Sequence, residues 1–405
     1  MAGDVDRALS AYVQDLIASG ALAPGPAERA FRAVRRHRFV QHWYRLEAQG
    51  LQATWEHVPF NREDPKPKDL AEVYSNTSLV TKLAGFVPTA SSSEPALVSL
   101  MLDILDVRRG MRVLEIGTGT GYNAALLAEL VGTPSLVTTI EIQEDIAAAA
   151  RNVLADEGYA SLRVVQGDGV YGFPEGGPYD RIEATVGCSD LSPCWLRQLA
   201  PDGQILLPLQ HGHLHPLILI EPSALEPQHA VGRWVGHSSF MAIQGAMAWA
   251  NPWQDYILRG IPRDGERRRV SSVSFPNVAK GAHPLSSAQH RAFNFFLTLS
   301  SRELWQTNEG YGLADPGGRA SALITGEKIK ILQRPGAEAC GDRLADRLVD
   351  LLELWEQYGR PAPEAYRIEF VPKAEIPDLE AVRDPQWVIE RIHFWEIIRL
   401  CSPAH

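Results

Sequence analysis

The spacing of apolar residues changes three times along the chain. Over residues 4–19, Val5, Leu9, Val13, Leu16 and Ile17 recur with a helical period. Pro24-Gly25-Pro26 interrupts it. A second helix is expected next, with Ala30, Phe31, Val34 and Phe39 on its apolar face. Residues 49–90 are polar and aperiodic around Pro65-Lys66-Pro67-Lys68, which predicts a long loop lying over a site. From Pro95 helices and strands alternate. The expected helices are 95–106, 122–131, 144–157 and one near 193–199. The expected strands are 112–116, 136–140, 162–165, 179–184 and 204–208. This alternation predicts an α/β fold with a doubly wound parallel sheet. Two more strands, 215–220 and 235–243, extend its edge. Beyond Ala248 the chain reads as a second α+β domain. It has a Pro/Arg-rich passage at 261–270, an aromatic helix at 288–299 and a hairpin of 320–325 with 328–332. An amphipathic helix at 340–358 and strands at 366–371 and 387–400 follow. The expected divisions are 1–94, 95–247 and 248–405.

A chain of 405 residues suits roughly two or three domains at about 150 residues each. Its 39 basic and 49 acidic residues give a net charge of −10, against general nucleic-acid affinity. The basic run from Arg32 to Arg38 reads as the solvated face of a helix. Cys188, Cys194, Cys340 and Cys401 form no Cys-x-x-Cys pair, so neither a zinc ribbon nor a dithiol site is indicated. Sparse cysteine, the absence of a signal-peptide apolar core and the lack of any apolar run of ~18–20 residues predict a cytoplasmic protein without a membrane partner.

The most specific segment is Val113-Leu114-Glu115-Ile116-Gly117-Thr118-Gly119-Thr120-Gly121-Tyr122-Asn123, between a strand and a helix. Glycine lets backbone turn tightly and lets a ligand lie on bare main chain. The Gly-x-Gly-x-Gly spacing differs from the dinucleotide fingerprint, and an acid precedes it. A carboxylate there repels phosphate and suits a cationic ligand. S-adenosylmethionine carries a sulfonium and an ammonium, so a methyltransferase is the first reading. Ligands in open α/β sheets bind at the carboxyl ends of strands. Glu141 ends the second strand, where an acid suits ribose hydroxyls. Asp168-Gly169 follows the third, where a carboxylate suits an adenine amino group. Asp180 opens the fourth.

Residues outward from this loop resemble one family. They are Ser93-Glu94-Pro95, Met101-Leu102, the run from Arg112 to Ala125, Gly167-Asp168-Gly169, Gly172-Phe173-Pro174 and Pro178-Tyr179-Asp180-Arg181-Ile182. Gln198-Leu199, Gly203, Leu207-Pro208, Phe240-Met241-Ala242-Ile243 and the helix from Ala30 to Val40 add to them. Together, over residues 27–245, they resemble the protein-L-isoaspartate O-methyltransferase family. The resemblance implies a Rossmann-like class I methyltransferase sheet with N-terminal helices, holding S-adenosylmethionine without a metal. It implies a catalytic Ser93 beside the carboxylate being methylated. It places donor binding on Ser91, Ser92, Glu115, Gly117, Thr118, Gly119, Thr120, Gly121, Tyr122, Asn123, Glu141, Ile142, Asp168, Gly169 and Thr185. Substrate contacts fall on Tyr74 and Asn76, where Tyr74-Ser75-Asn76 is similar to a Tyr-x-Asp loop. A hydroxyl at Ser93 that donates to one carboxylate oxygen aims the other at the methyl. Ser93 also suits capping of helix 95–106.

Asn76 in place of Asp, Arg35 in place of Pro, Asp202 in a Gly-Gly pair and the long C-terminal region depart from the family pattern. Residues 74–81, 89–95, 310–320 and 354–361 look more like a bacterial subset that accompanies ribosomally made modified peptides, including lanthipeptides and graspetides. That likeness implies a cyclised precursor peptide as partner. One of its aspartates would be esterified, then closed to a succinimide (aspartimide) that opens to isoaspartate. Repair of isoaspartyl proteins by the same chemistry is the first alternative, and a non-catalytic donor-binding scaffold is the second. A monomer is favoured, with oligomeric state otherwise open.

Three further signals carry less. His211, His213 and His215 share a face if extended. Methyl transfer to a carboxylate needs no metal, so a surface turn or strand end is expected there. Trp249, Trp253, Tyr256, Phe293, Phe295 and Phe296 read as core rather than a peptide groove. The alternation over 387–400 reads as one two-faced strand, available for edge pairing if exposed.

Overall fold

The computed structural model describes residues 2–49, 52–226, 228–248, 269–274, 285–301, 303–307, 310–325, 328–334, 336–375 and 386–401. They form two compact units. One comprises residues 1–209 and 217–248, the other residues 210–216 and those from 249 onward.

The first unit opens with helices α1 (Ala2–Ala18) and α2 (Pro26–Ala33). Its sheet contains β5 (Val113–Ile116), β6 (Val137–Glu141), β7 (Arg163–Gln166), β8 (Tyr179–Ala184), β9 (Leu199–Pro208), β10 (His215–Pro222) and β11 (Ala230–Ser238), in the order β11-β10-β9-β8-β5-β6-β7. The pairs β5–β6, β5–β8, β6–β7 and β8–β9 are parallel, and β9–β10 is antiparallel. Chain order reverses at β5, so a switch-point crevice opens at its carboxyl end. Helix α4 (Pro95–Leu105) leads into β5, α5 (Tyr122–Val131) links β5 to β6, α6 (Glu144–Asp156) links β6 to β7, and α7 (Pro193–Arg197) precedes β9. Val5, Leu9 and Val13 of α1 and Phe31 of α2 share one core with Leu102 of α4 and Leu126 of α5. The described residues hold no helix long and apolar enough to cross a membrane.

Residues 49–90 are not the expected loop. Strands β1 (His42–Gln49), β2 (Gln52–Pro59), β3 (Leu79–Ala84) and β4 (Val87–Ser92) make an antiparallel sheet in the order β2-β1-β3-β4, with helix α3 (Pro67–Val73) between β2 and β3. One face buries Trp43 and Leu79 with Val40, Phe60 and Val73. The other carries exposed Leu46 and half-buried Tyr44 and Trp55, so apolar residues occupy both faces and the two-residue period is masked.

Three other elements differ from expectation. Helix α2 stops at Ala33, and Arg36–Phe39 form a tight 3₁₀ turn. That turn points Arg36 and His37 inward, so the basic run is not a solvated face. Strand β11 begins at Ala230 rather than 235, its buried positions being Ala230, Gly232 and Trp234. The stretch 387–400 is a hairpin, not one strand.

In the second unit, β12 (Arg269–Ser274), β13 (Leu304–Thr307), β14 (Gly310–Ala314), β15 (Ala320–Thr325) and β16 (Lys328–Gln333) form an antiparallel sheet, order β12-β16-β15-β14-β13. Helices α8 (Ser287–Ser300) and α9 (Glu338–Gln357) bury Phe293, Phe296, Leu348 and Trp355 with it. Phe295 is buried too, so these phenylalanines are core. Trp249, Trp253 and Tyr256 lie outside the described residues. A separate antiparallel trio joins β17 (Tyr366–Pro372), β18 (Gln386–Glu390) and β19 (Phe394–Leu400). Between β18 and β19, Arg391 donates to Glu396 at 2.6 Å, and His211 lies 3.0 Å from the same carboxylate. All three are buried. Burial alone would raise the Glu396 carboxyl, but Arg391 and His211 hold it down at about 2. His211–Leu214 is a tight turn, so the three histidines do not share an extended face. His213 bonds Asn294 at 3.0 Å.

Removing the charge of Glu396 leaves Arg391 buried beside a neutral group. Glu396→Gln is expected to cost about 3–5 kcal/mol. Urea denaturation measures this, and an unchanged midpoint would contradict the pairing.

Candidate functional site

The glycine loop is built on left-handed backbone. Gly117, Gly119 and Gly121 have φ of 102°, 52° and 83°. A Cβ at Gly117 would sit 2.8 Å from Thr185 Oγ1, and one at Gly119 would sit 3.0 Å from the Ser91 carbonyl oxygen. Thr185 donates to the carbonyls of Gly117 (2.7 Å) and Ile116 (3.1 Å), holding the loop from β8. Gly121 is the N-cap of α5. Thr118 is buried, with its hydroxyl 2.7 Å from that of Thr139. Thr120 is half-buried at the crest of the loop.

Beneath the loop lies a polar row. Thr139, Glu115 and Glu183 are register partners across β6, β5 and β8. Thr139 donates to Glu115 at 2.5 Å. Asn123 of α5 donates to Glu115 at 2.7 Å and to Glu183 at 2.9 Å. Glu115 is fully buried and Glu183 nearly so. Glu115 therefore supports the loop through protein donors instead of meeting a cationic ligand directly. Burial pushes the carboxyl of Glu115 up to about 8 and that of Glu183 to about 7. Asn123 Oδ1 is buried with no donor among the described residues, and a carboxyl that keeps its proton adds a donor to this row.

Glu141 closes β6. One oxygen takes the Gly119 N–H and the other the Gln143 N–H, each at 3.1 Å. Burial raises its pKa. Each oxygen keeps acceptor capacity for a diol. Half-buried Ile142 follows it and accepts from the Gln166 side chain through its carbonyl. Asp168 accepts from Val170 N (3.0 Å) and Ala246 N (2.7 Å), so its first task is to pin the 245–247 turn. Gly169 is required by packing, since a Cβ would lie 2.5 Å from Ile116 Cγ2. Asp180 accepts from Arg112 N at the start of β8, away from the carboxyl ends.

Strand β4 runs along this loop. Gln143 of the β6–α6 connection donates to Thr89 O at 2.9 Å, and Ser91 meets Gly119. Ser93, half-buried, follows directly. The N-cap of α4 is Glu94, without a side-chain cap, so Ser93 does not cap the helix. No described residue bonds the Ser93 hydroxyl.

Asn76 supplies the cap instead. Its oxygen takes the Ala96 N–H at 2.8 Å, and its amide donates to Glu94 at 3.0 Å. An aspartate could accept from Ala96 but would face Glu94 as a like charge, which accounts locally for asparagine. Three more expected contacts are corrected. Tyr74 is buried, with its hydroxyl 2.7 Å from His37 Nδ1 and its ring 5.4 Å from that of Tyr12. Tyr122 is buried between Phe31 and Phe39, so its ring is core. Ser92 is buried against Arg36. Arg36, Thr139, Gln143 and Glu183 are the organising residues that sequence reading missed. Nothing in local spacing marks them, because each acts across elements.

The model of the protein-L-isoaspartate(D-aspartate) O-methyltransferase family matches residues 8–226. The chain belongs to that family. It is 38% identical over 212 residues to the protein-L-isoaspartate O-methyltransferase of Thermotoga maritima, covering 52% of this chain and 66% of that protein. The Methanothermobacter thermautotrophicus enzyme of the same name is 32% identical over 206 residues, half of this chain and 91% of that one. A solved protein-L-isoaspartate O-methyltransferase superposes with a TM-score of 0.51 at 22% identity, over 89% of this chain and 96% of that one, which shows the fold. The family is one of S-adenosylmethionine-dependent carboxyl methyltransferases, and the chain is such an enzyme.

The raised carboxyls set a pH dependence. Between the ordinary carboxyl value near 4.5 and about 7, native Glu183 keeps a proton that the unfolded chain releases. Stability from this group is therefore present at low pH and lost as pH rises through about 7. Glu183→Gln is expected to gain ~1–3 kcal/mol over wild type on going from pH 5 to pH 8. Denaturant unfolding at both values checks this, and a pH-independent difference would contradict it.

Proposed function

We propose that the enzyme methylates the free α-carboxylate of an isoaspartyl residue, whose side-chain carboxyl forms the peptide bond, presented by a peptide or protein at Ser93. The observation that carries this reading is a Ser93 hydroxyl with no partner among the described residues, directly after the strand that runs against Gly119. Glu141 and the glycine loop fit S-adenosylmethionine: a bare backbone cradle that a Cβ would fill at Gly119, and a carboxylate with spare acceptor sites for ribose hydroxyls. Bound there, the donor supplies a methyl on a sulfonium, which leaves as a neutral thioether. The chain's own residues have little bond chemistry to perform. A carboxylate is already a nucleophile and loses no proton, so no general base is needed. Ser93 binds one carboxylate oxygen and orients the other. Orientation and the exclusion of water can supply up to ~7–11 kcal/mol.

A dedicated cyclised precursor peptide is the second reading. Its support is the likeness of residues 74–81, 89–95, 310–320 and 354–361 to the peptide-modifying subset. Two of its other supports weaken. Asn76 has a local reason in Glu94, and the fold of a solved protein-L-isoaspartate O-methyltransferase matches over 89% of this chain, so the length of the C-terminal region does not by itself favour this reading. A cytoplasmic site of action belongs with either reading.

Ser93→Ala is expected to lower turnover on an isoaspartyl peptide roughly 10- to 100-fold while leaving affinity for S-adenosylhomocysteine within about threefold. Steady-state kinetics and calorimetry separate the two, and an unchanged turnover removes Ser93 from the mechanism. Esterification of a cyclised precursor with none of the isoaspartyl peptide would favour the second reading.

A further inference from the structure

Arg36 is fully buried, and every hydrogen bond it makes goes to a neutral acceptor. Its Nη1 donates to the carbonyls of Val73 (2.8 Å) and Ser75 (2.9 Å). Its Nη2 donates to Thr77 O (2.8 Å), Ser93 O (3.0 Å) and Ser92 O (3.4 Å), and its Nε to Ser92 Oγ (3.4 Å). No carboxylate is among these partners. That of neighbouring Glu94 goes to Asn76.

Burying an ion costs several kcal/mol, and a buried arginine is ordinarily matched by an acid. Here carbonyl dipoles solvate the charge without cancelling it. The titratable side chains around it do not cancel it either. Tyr12, Tyr74 and Tyr122 all feel the Arg36 charge, and burial holds each phenol neutral by raising its pKa. The next residue, His37, is also neutral at pH 7, because burial, with Arg38 and Arg35, lowers it to about 4. The guanidinium therefore has no ion-pair partner among the described residues, in a poorly solvated place where its field is screened less than at the surface, while the carboxylate of Glu94 is turned to Asn76. One nitrogen of that guanidinium is hydrogen-bonded to the backbone of Ser93.

The acceptors also come from two separate stretches, 73–77 and 92–93. The planar guanidinium fork joins both at once, which the point charge of a lysine cannot do. We propose that Arg36 is a positioning and specificity-determining residue for the acceptor. Its fork fixes Ser93 against the 73–77 segment. Its uncancelled charge favours an ionised carboxylate at Ser93 over an uncharged amide of the same shape. This rests on the reading that Ser93 is the acceptor site.

The test compares wild type, Arg36→Lys and Arg36→Met on an isoaspartyl peptide, with S-adenosylhomocysteine affinity measured alongside. Both variants are expected to lose at least about tenfold in kcat/KM, with donor-product affinity within about threefold. The Met variant, lacking charge, should show a KM roughly tenfold above that of the Lys variant. Equal KM values, or donor-product affinity falling as far as kcat/KM, overturn the proposal. If neither variant folds, wild-type protein is titrated with the isoaspartyl peptide and with the isosteric peptide in which the free α-carboxylate is a carboxamide. The acid should bind at least about tenfold more tightly, and equal binding overturns the proposal. Failure of the proposed function looks different: wild type then esterifies no isoaspartyl peptide, and the inference falls with it.

Discussion

The donor loop keeps its shape because of the polar row beneath it. A stretch with three left-handed glycines has little stiffness of its own. Asn123 reaches from α5 to Glu115 and Glu183, Thr139 bonds Glu115 from the next strand, and Thr185 grips the Gly117 carbonyl. Strand ends, loop and helix start are thereby joined at one level of the sheet. Carboxyls whose pKa burial raises suit that place, since a fully ionised pair there would repel itself.

From this fixed floor the rest of the site follows. Glu141 meets the Gly119 backbone, β4 lies against the same loop at Ser91 and against the β6–α6 connection at Thr89, and Ser93 follows its end. The small antiparallel sheet of β1–β4 makes this possible. It buries Trp43 and Leu79 on one side and carries its last strand to the donor loop. The acceptor side of the site is then tied by Arg36 and capped by Asn76.

Much of this was legible in order and little of it in direction. The alternation from Pro95 to Pro208 is a local pattern of apolar spacing and turn residues, and the parallel sheet appears where that pattern puts it. The loop and Glu141 are legible for the same reason, being fixed by their place at strand ends. The facing of single side chains was not. Tyr74 and Tyr122 point into a core made with α1 and α2, and Ser92 points to an arginine fifty-six residues away. Such choices depend on packing between distant elements. Arg36 was hidden in a basic run that looked solvated, because a change from α to 3₁₀ winding turned it inward. The β1–β4 sheet was hidden because apolar residues on both its faces erase the two-residue alternation.

The most direct measurement incubates the enzyme with S-adenosylmethionine and two peptides that differ only in one residue, isoaspartate or aspartate. Intact-mass analysis follows peptide ester, and S-adenosylhomocysteine is counted in parallel. The expected result is a gain of one methylene on the isoaspartyl peptide alone, with one S-adenosylhomocysteine released per ester formed. Donor turnover with no ester on the isoaspartyl peptide, or equal ester on both, would contradict an acceptor site built around Ser93 for an isoaspartyl carboxylate.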